Sequence, residues 1–246
     1  MNIIEEIDTL KMNSSIKENL KRILPNFNPL SQQKILKKLI SLINSKEKES
    51  HKKNIQGINF INELSIVKYF INQEKLSPEY EKDICGLTPD FVDENTKTII
   101  ECFTVNLDNE TDKKIHNTKP LDKNSVANGN IDESVYCYSP NSPSLVQKML
   151  DGICSKIKKY QNINGYRLII VPHASFTSSL ELEDLSPDTY HIYHSNSGFE
   201  GIGVTQGEDF QNVIKKRLDD EKLRSSKLQI YFFDCNKKCN SIYNEI

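Results

Sequence analysis

Asp90 and Glu101 are the residues of this chain whose type and spacing most directly suggest chemistry. Asp90 follows a proline in Thr88-Pro89-Asp90-Phe91, and Glu101 interrupts the apolar run Ile99-Ile100-Glu101-Cys102-Phe103-Thr104. Successive side chains of a strand alternate between faces, so Ile99, Glu101 and Phe103 share one face and Ile100, Cys102 and Thr104 the other. A carboxylate within such a run is expensive to bury unless it is paired or binds a metal ion. With Asp90 on one arm of a hairpin and Glu101 on the other, the two carboxylates can meet at one point. That is a hard-oxygen site for Mg2+, which favours one or two carboxylates together with water and a substrate phosphate. Each acid also has a plainer account: Asp90 as a turn residue after proline, Glu101 as a structural acid paired to a lysine.

These two acids need elements that hold them. Strands are expected near Ile84–Val92 and Thr98–Val105, with Asp93-Glu94-Asn95 as the turn between them. Upstream, residues 1 to about 50 read as helices. Ile16, Leu20, Ile23 and Leu24 recur at helical spacing, Pro25 and Pro29 interrupt, and Ile35, Leu36, Leu39, Ile40 and Ile43 form a second apolar face. A charged linker, Lys46–Lys53, separates them from an apolar helix carrying Phe60, Ile61, Leu64, Val67 and Phe70, in which Glu63 is one of few acids. Downstream, Leu145–Tyr160 reads as a helix, Tyr166–Val171 as a buried strand, Phe210–Leu223 as a helix and Leu228–Phe233 as a last strand. Polar stretches at 106–143 and 174–208 lie between; loops of that length are usually functional or disordered. A helix crossing between strands implies a mixed sheet covered on both faces. The expected division is an N-terminal helical region, 1–54, and an α/β domain, 55–246.

This order, with Pro89-Asp90 and Glu101 in place, resembles the PD-(D/E)XK nuclease superfamily over roughly residues 58–172. The resemblance implies a three-layer restriction-endonuclease-like core, a small mixed β-sheet flanked by helices, with an N-terminal helical extension. It implies an Mg2+-dependent endonuclease acting on DNA, in restriction or another defence against foreign DNA, and by analogy a homodimer. The motif's lysine would fall at position 103, where this chain has Phe103. In some branches of that family the lysine comes from the following helix. There Lys156 flanks the stripe Val146, Met149, Leu150, Ile153, Ile157 and Tyr160, at about 100° per residue; Lys158 and Lys159 are expected to point away from it. By the same resemblance Glu63 would serve a second metal or its water, and the main-chain carbonyl of Cys102 would join Asp90 and Glu101 as a ligand. A snorkelling Lys156 and a solvated Glu63 are the plainer alternatives. A catalytically inactive nucleic-acid- or protein-binding module on the same fold is the rival from another class, and a ribonuclease or nuclease toxin is a third possibility.

Other signals are poorer. His173, after Val171-Pro172, stands at a strand end, where open α/β sheets place functional groups; a structural histidine is the alternative. His191 and His194, interleaved with Tyr190 and Tyr193, could stack on bases or simply pack. The glycines of Gly198–Gly203 mimic a phosphate loop without a strand–helix context. Cys235 and Cys239 are a close pair with no second pair beside them, short of the four ligands a structural zinc needs. Cys102 and Cys154 as nucleophiles would need a histidine base.

Composition narrows the classes further. The 246 residues carry 32 Lys and Arg against 34 Asp and Glu, a net charge of -2, so a nucleic-acid surface would have to come from local lysine clusters. No stretch approaches the roughly 18 apolar residues of a membrane span, and Met1–Glu6 does not read as a secretory leader. With six scattered cysteines, a reducing cytoplasmic location is expected and no membrane partner.

Overall fold

A computed structural model describes residues 3–10, 12–44, 50–106, 142–174, 210–223, 227–233 and 239–245. The stretches at 107–141 and 175–209, with His191, His194, Tyr190, Tyr193 and Gly198–Gly203, lie outside the described residues, as do Cys235 and residues 46–49 of the expected linker, whose remainder belongs to a helix.

The described chain is a mixed α/β fold. Helices α1 (Ile3–Thr9), α2 (Ser14–Ile23), α3 (Pro29–Asn44) and α4 (Ser50–Glu74) come first. Strands β1 (Glu79–Tyr80), β2 (Phe91–Asp93) and β3 (Thr98–Val105) follow, then helix α5 (Ser142–Tyr160), strand β4 (Arg167–Ala174), helix α6 (Phe210–Asp220), and strands β5 (Leu228–Phe233) and β6 (Cys239–Asn244). Local chemistry sets several boundaries. Asn13 caps α2 by accepting the Ser15 N–H at 2.9 Å, and Asn28, just before Pro29, accepts the Ser31 N–H at 2.8 Å. Asparagine at the cap followed by proline at the first helical position suits a helix start.

The six strands form one open sheet in the order β1-β2-β3-β4-β5-β6. β1–β2, β2–β3 and β5–β6 run antiparallel; β3–β4 and β4–β5 run parallel. Both parallel connections contain a helix, as parallel strands require. Helices α5 and α6 cover one face, sharing a core with Val92, Ile99, Leu168, Ile170, Leu228, Ile230 and Phe232. The N-terminal helices cover the other, where residues of α1 to α4 such as Ile7, Leu20, Ile35 and Phe70 pack with Phe91, Ile100, Ile169 and Val171. The alternation expected for β3 is therefore what divides the two cores. The N-terminal helices form a layer of the fold, and α4 runs through the 54/55 division. Among the described residues no helix is long and apolar enough to cross a membrane.

Four elements depart from expectation. The strand expected from Ile84 begins only at Phe91. Cys85 (φ 53°) and Gly86 (φ 81°) adopt left-handed backbone, and a tight turn closes with reciprocal Ile84–Leu87 hydrogen bonds of 2.8 and 3.0 Å. Pro89, with no N–H, cannot donate to the ladder. The short edge strand β1 and the final strand β6 have too few apolar residues to announce themselves, although Tyr80, Ile242 and Tyr243 are buried. β4 extends through Pro172 and His173 to Ala174.

Candidate active site

Asp90 and Glu101 are brought together at the start of the β2–β3 hairpin. The ladder pairs Phe91 with Ile100 and Val92 with Ile99, which sets Asp90 one step beyond, alongside Glu101. Asp90 is fixed at both ends of the residue: its carbonyl accepts the Glu81 N–H at 2.9 Å, and its Oδ2 accepts the Cys102 N–H at 2.9 Å. A strand residue aims its N–H and C=O to the same side, so the Cys102 carbonyl faces the Asp90 edge too.

Glu101 lies on the α5 side and is completely buried. Three donors from one stripe of α5 converge on it. Lys156 donates to Oε2 and the Tyr160 hydroxyl to Oε1, while the Lys159 ammonium sits 3.2 Å from Oε1. Lys156 Nζ is also 4.0 Å from Asp90 Oδ2, so one ammonium is shared between the two carboxylates. Lys159 additionally donates to the Thr88 carbonyl at 3.3 Å and lies 4.7 Å above the Tyr160 ring centroid.

Lys156 is thus where the helical spacing puts it. Lys159 is not: expected to point away, it reaches the acid. Residues three apart are neighbours on a helix surface, and a long lysine stem can carry its charge around the cylinder. Lys158 does leave, to an ion pair with Glu221 at 2.6 Å. Tyr160 was legible only as part of the apolar stripe; its buried ring needed a partner for its hydroxyl, which was the available signal.

Phe103, where the resemblance would expect a lysine, packs against the α5 core. A Cβ on Gly152 would fall 2.4 Å from its Cε2, so the ring is seated on bare helix backbone. Gly152, Lys156 and Tyr160 follow at four-residue intervals along that stripe. The glycine lets the helix approach Phe103, and the lysine one turn later supplies the amine.

The electrostatics follow from this crowding. Burial, then the Glu101 charge, pushes the Asp90 carboxyl up to about 8 against the pull of Lys156, although a third of its side chain is still exposed. For Glu101 burial works upward too, but Lys156, Tyr160 and Lys159 outweigh it and hold the acid below its ordinary value. Burial would lower Lys156; the charges of Asp90 and Glu101 raise it instead. The two acids are thus pushed in opposite directions, Asp90 toward its protonated form and Glu101 toward its ionised one.

Glu63 contributes to that cluster through its charge, which adds to the rise of Asp90, while its hydrogen-bond contact is to His173. It stands on α4, across the sheet, where His173 Nε2 is 3.5 Å from Glu63 Oε1 and 3.1 Å from Thr104 Oγ1. His173 Nδ1 lies 3.3 Å from the Ala174 carbonyl, and the ring is completely buried. The Cys102 thiol shares this face, pushed well above its ordinary value by burial and then by the charge of Glu63. Burial and then Glu221 likewise raise Cys154. Both cysteines are therefore poor nucleophiles at neutral pH.

Among the described residues no three His, Cys, Asp or Glu side chains stand close enough to hold a metal ion by themselves. The hard-oxygen set that could attract Mg2+ is two carboxylates, Asp90 and Glu101, with the Cys102 carbonyl on the same edge. Such a set is chemically suited to an ion that keeps several waters. No protein-family model, curated protein or solved structure matches this chain.

Proposed function

We propose that the chain is a Mg2+-dependent endonuclease on a restriction-endonuclease-like core, hydrolysing phosphodiester bonds in DNA. The observation that carries this reading is the convergence of Glu101 on β3 and Asp90, just before β2, on the ammonium of Lys156. The order of helix α4, hairpin β2–β3, helix α5 and strand β4 supports it, as does the Lys156 amine reaching the acids from α5 while Phe103 stands on the strand.

In this reading Asp90, Glu101 and the Cys102 carbonyl would hold Mg2+, which when bound would supply positive charge at the phosphate and acidify a water. The protein's own groups do the rest. The Cys102 N–H fixes the Asp90 carboxylate, and Tyr160 with Lys159 fixes that of Glu101. Lys156, a quarter exposed, places a positive charge where a phosphate can approach and negative charge develops in the transition state. Glu63 acts from the far face through His173 and Thr104, as a support of β3 and β4.

A second reading, a binding module without catalysis, is favoured by one observation: Glu101 has no exposed surface and already has three donors. Incubation of the protein with supercoiled plasmid and Mg2+ or Mn2+ separates the two. Nicking or linearisation that disappears in both Asp90→Ala and Glu101→Ala is the expected result. Plasmid retardation without cleavage, or cleavage that survives both substitutions, would overturn the nuclease reading; parallel RNA substrates define the nucleic acid.

A further inference from the structure

The two oxygens of Glu101 are held unequally. Oε1 has two partners, the Tyr160 hydroxyl and the Lys159 ammonium. Oε2 has Lys156, which also stands 4.0 Å from Asp90 Oδ2. Tyr160 is buried among apolar neighbours of α5 and the sheet, so its hydroxyl has little freedom to leave. The Lys156 side chain is a quarter exposed and that of Lys159 36% exposed, and both sit on flexible stems that can carry an ammonium toward water; of the two, Lys156 is the one that stands against both acids.

We propose that Lys156 is an exchangeable occupant of the Asp90–Glu101 pair, yielding Glu101 Oε2 and Asp90 Oδ2 to a divalent cation, while the buried Tyr160 keeps Oε1 fixed through the exchange. The inference rests on the reading of this pair as a divalent-cation site and adds how that site is regulated. The physical basis is competition for the same two oxygens. An ammonium and a divalent cation repel each other at such range, so the ammonium on the shared oxygens moves on its flexible stem and the buried Tyr160 hydroxyl remains. Without an added cation, Lys156 supplies the positive charge that a buried carboxylate needs. With one, the displaced ammonium stays tethered one turn from Tyr160, at the edge where a phosphate would arrive. Lys156 thereby opposes cation binding and assists the anionic substrate, whereas Tyr160 is a positioning residue that acts through Glu101.

Calorimetric titration of the chelator-treated full chain with Mn2+, without nucleic acid, tests this directly. Lys156→Met is expected to bind Mn2+ at least about tenfold more tightly than the wild type, a single unit charge at close range being worth that much or more. Tyr160→Phe is expected to bind it several-fold more weakly. Opposite signs cannot come from a general loss of stability; Lys156→Gln and melting curves with and without Mn2+ provide the same comparison should Lys156→Met fold poorly. Wild-type binding that Lys156→Met and Lys156→Gln leave unchanged or weaken would overturn the exchange while leaving the divalent-cation reading intact. No Mn2+ binding by wild type or any variant would overturn both.

Discussion

On the α5 side of the sheet a fully buried carboxylate, Glu101, is met by two ammonium groups and a phenol; on the α4 side a fully buried imidazole, His173, is met by a hydroxyl and by a carboxylate that keeps part of its surface in water. β3 contributes to both clusters, through Glu101 and Thr104 three residues apart. The difference lies in which group can escape. Glu63 can turn outward at small cost, because exposed charges are well solvated. Glu101 cannot, and α5 is committed to supplying its counter-charge. Energy and candidate chemistry therefore concentrate on the α5 side.

Stripping that counter-charge is the strongest way to break the comparison. The double substitution Lys156→Ala with Lys159→Ala leaves Glu101 with the Tyr160 hydroxyl alone, and a loss of about 3–5 kcal/mol is expected from an uncompensated buried charge. Urea unfolding at pH 7 measures it. Glu63→Ala, the matching change across the sheet, is expected to cost about 1 kcal/mol or less, since its carboxylate is partly solvated. Similar losses from the two would show that the faces are not electrostatically distinct.

The residues behind this contrast differ in how far the sequence disclosed them. Glu101 stood out because an acid in an apolar, alternating run needs a reason, and Asp90 because a proline and a turn set it beside that run. Lys156 followed from helical spacing. Lys159 did not, because a helical wheel locates Cβ atoms while the ammonium lies four bonds further out. Glu63 was expected from its helix to serve the acid pair, and nothing in the sequence signalled its contact with His173, which comes from β4 far along the chain. The shortened β2 was hidden for a backbone reason: a left-handed Cys85 is uncommon for a side-chain-bearing residue, and composition gives no warning of it. Overall, the layered α/β arrangement came from hydrophobic period, whereas the partners of each acid came from side-chain reach.

A smaller perturbation sharpens the role of helix approach. In an exposed helix Gly→Ala would stabilise by about 1 kcal/mol. At Gly152 the added methyl meets the Phe103 ring at 2.4 Å, and overpacking of that kind costs about 1–3 kcal/mol. Gly152→Ala is therefore expected to lower stability despite its better propensity, and Phe103→Leu in the same chain to recover part of the loss. Chemical denaturation of the two single variants and the double variant forms the cycle. Additive losses would mean that Phe103 does not govern how closely α5 lies on β3.

The gentlest probe is pH, because it separates the two acids without altering a side chain. Asp90 has its folded value raised to about 8, from an ordinary 3.8, by burial and the neighbouring Glu101 charge. Between those values the folded chain retains a proton that the unfolded chain has released. Its contribution is complete below about pH 4 and is lost as pH rises through about 8. Glu101 has the opposite sign: held below its ordinary value of 4.5, its contribution is present above that value and lost as pH falls through the lower folded one. In metal-free buffer the urea midpoint is therefore expected to decline from pH 6 to 9, with Asp90→Asn flattening that limb. The variant should leave the acid limb, which belongs to Glu101 and its lysines, in place. A wild-type midpoint that rises between pH 6 and 9, with Asp90→Asn unchanged from it, would mean that Asp90 is already ionised beside Glu101 and that Lys156 neutralises both acids at once.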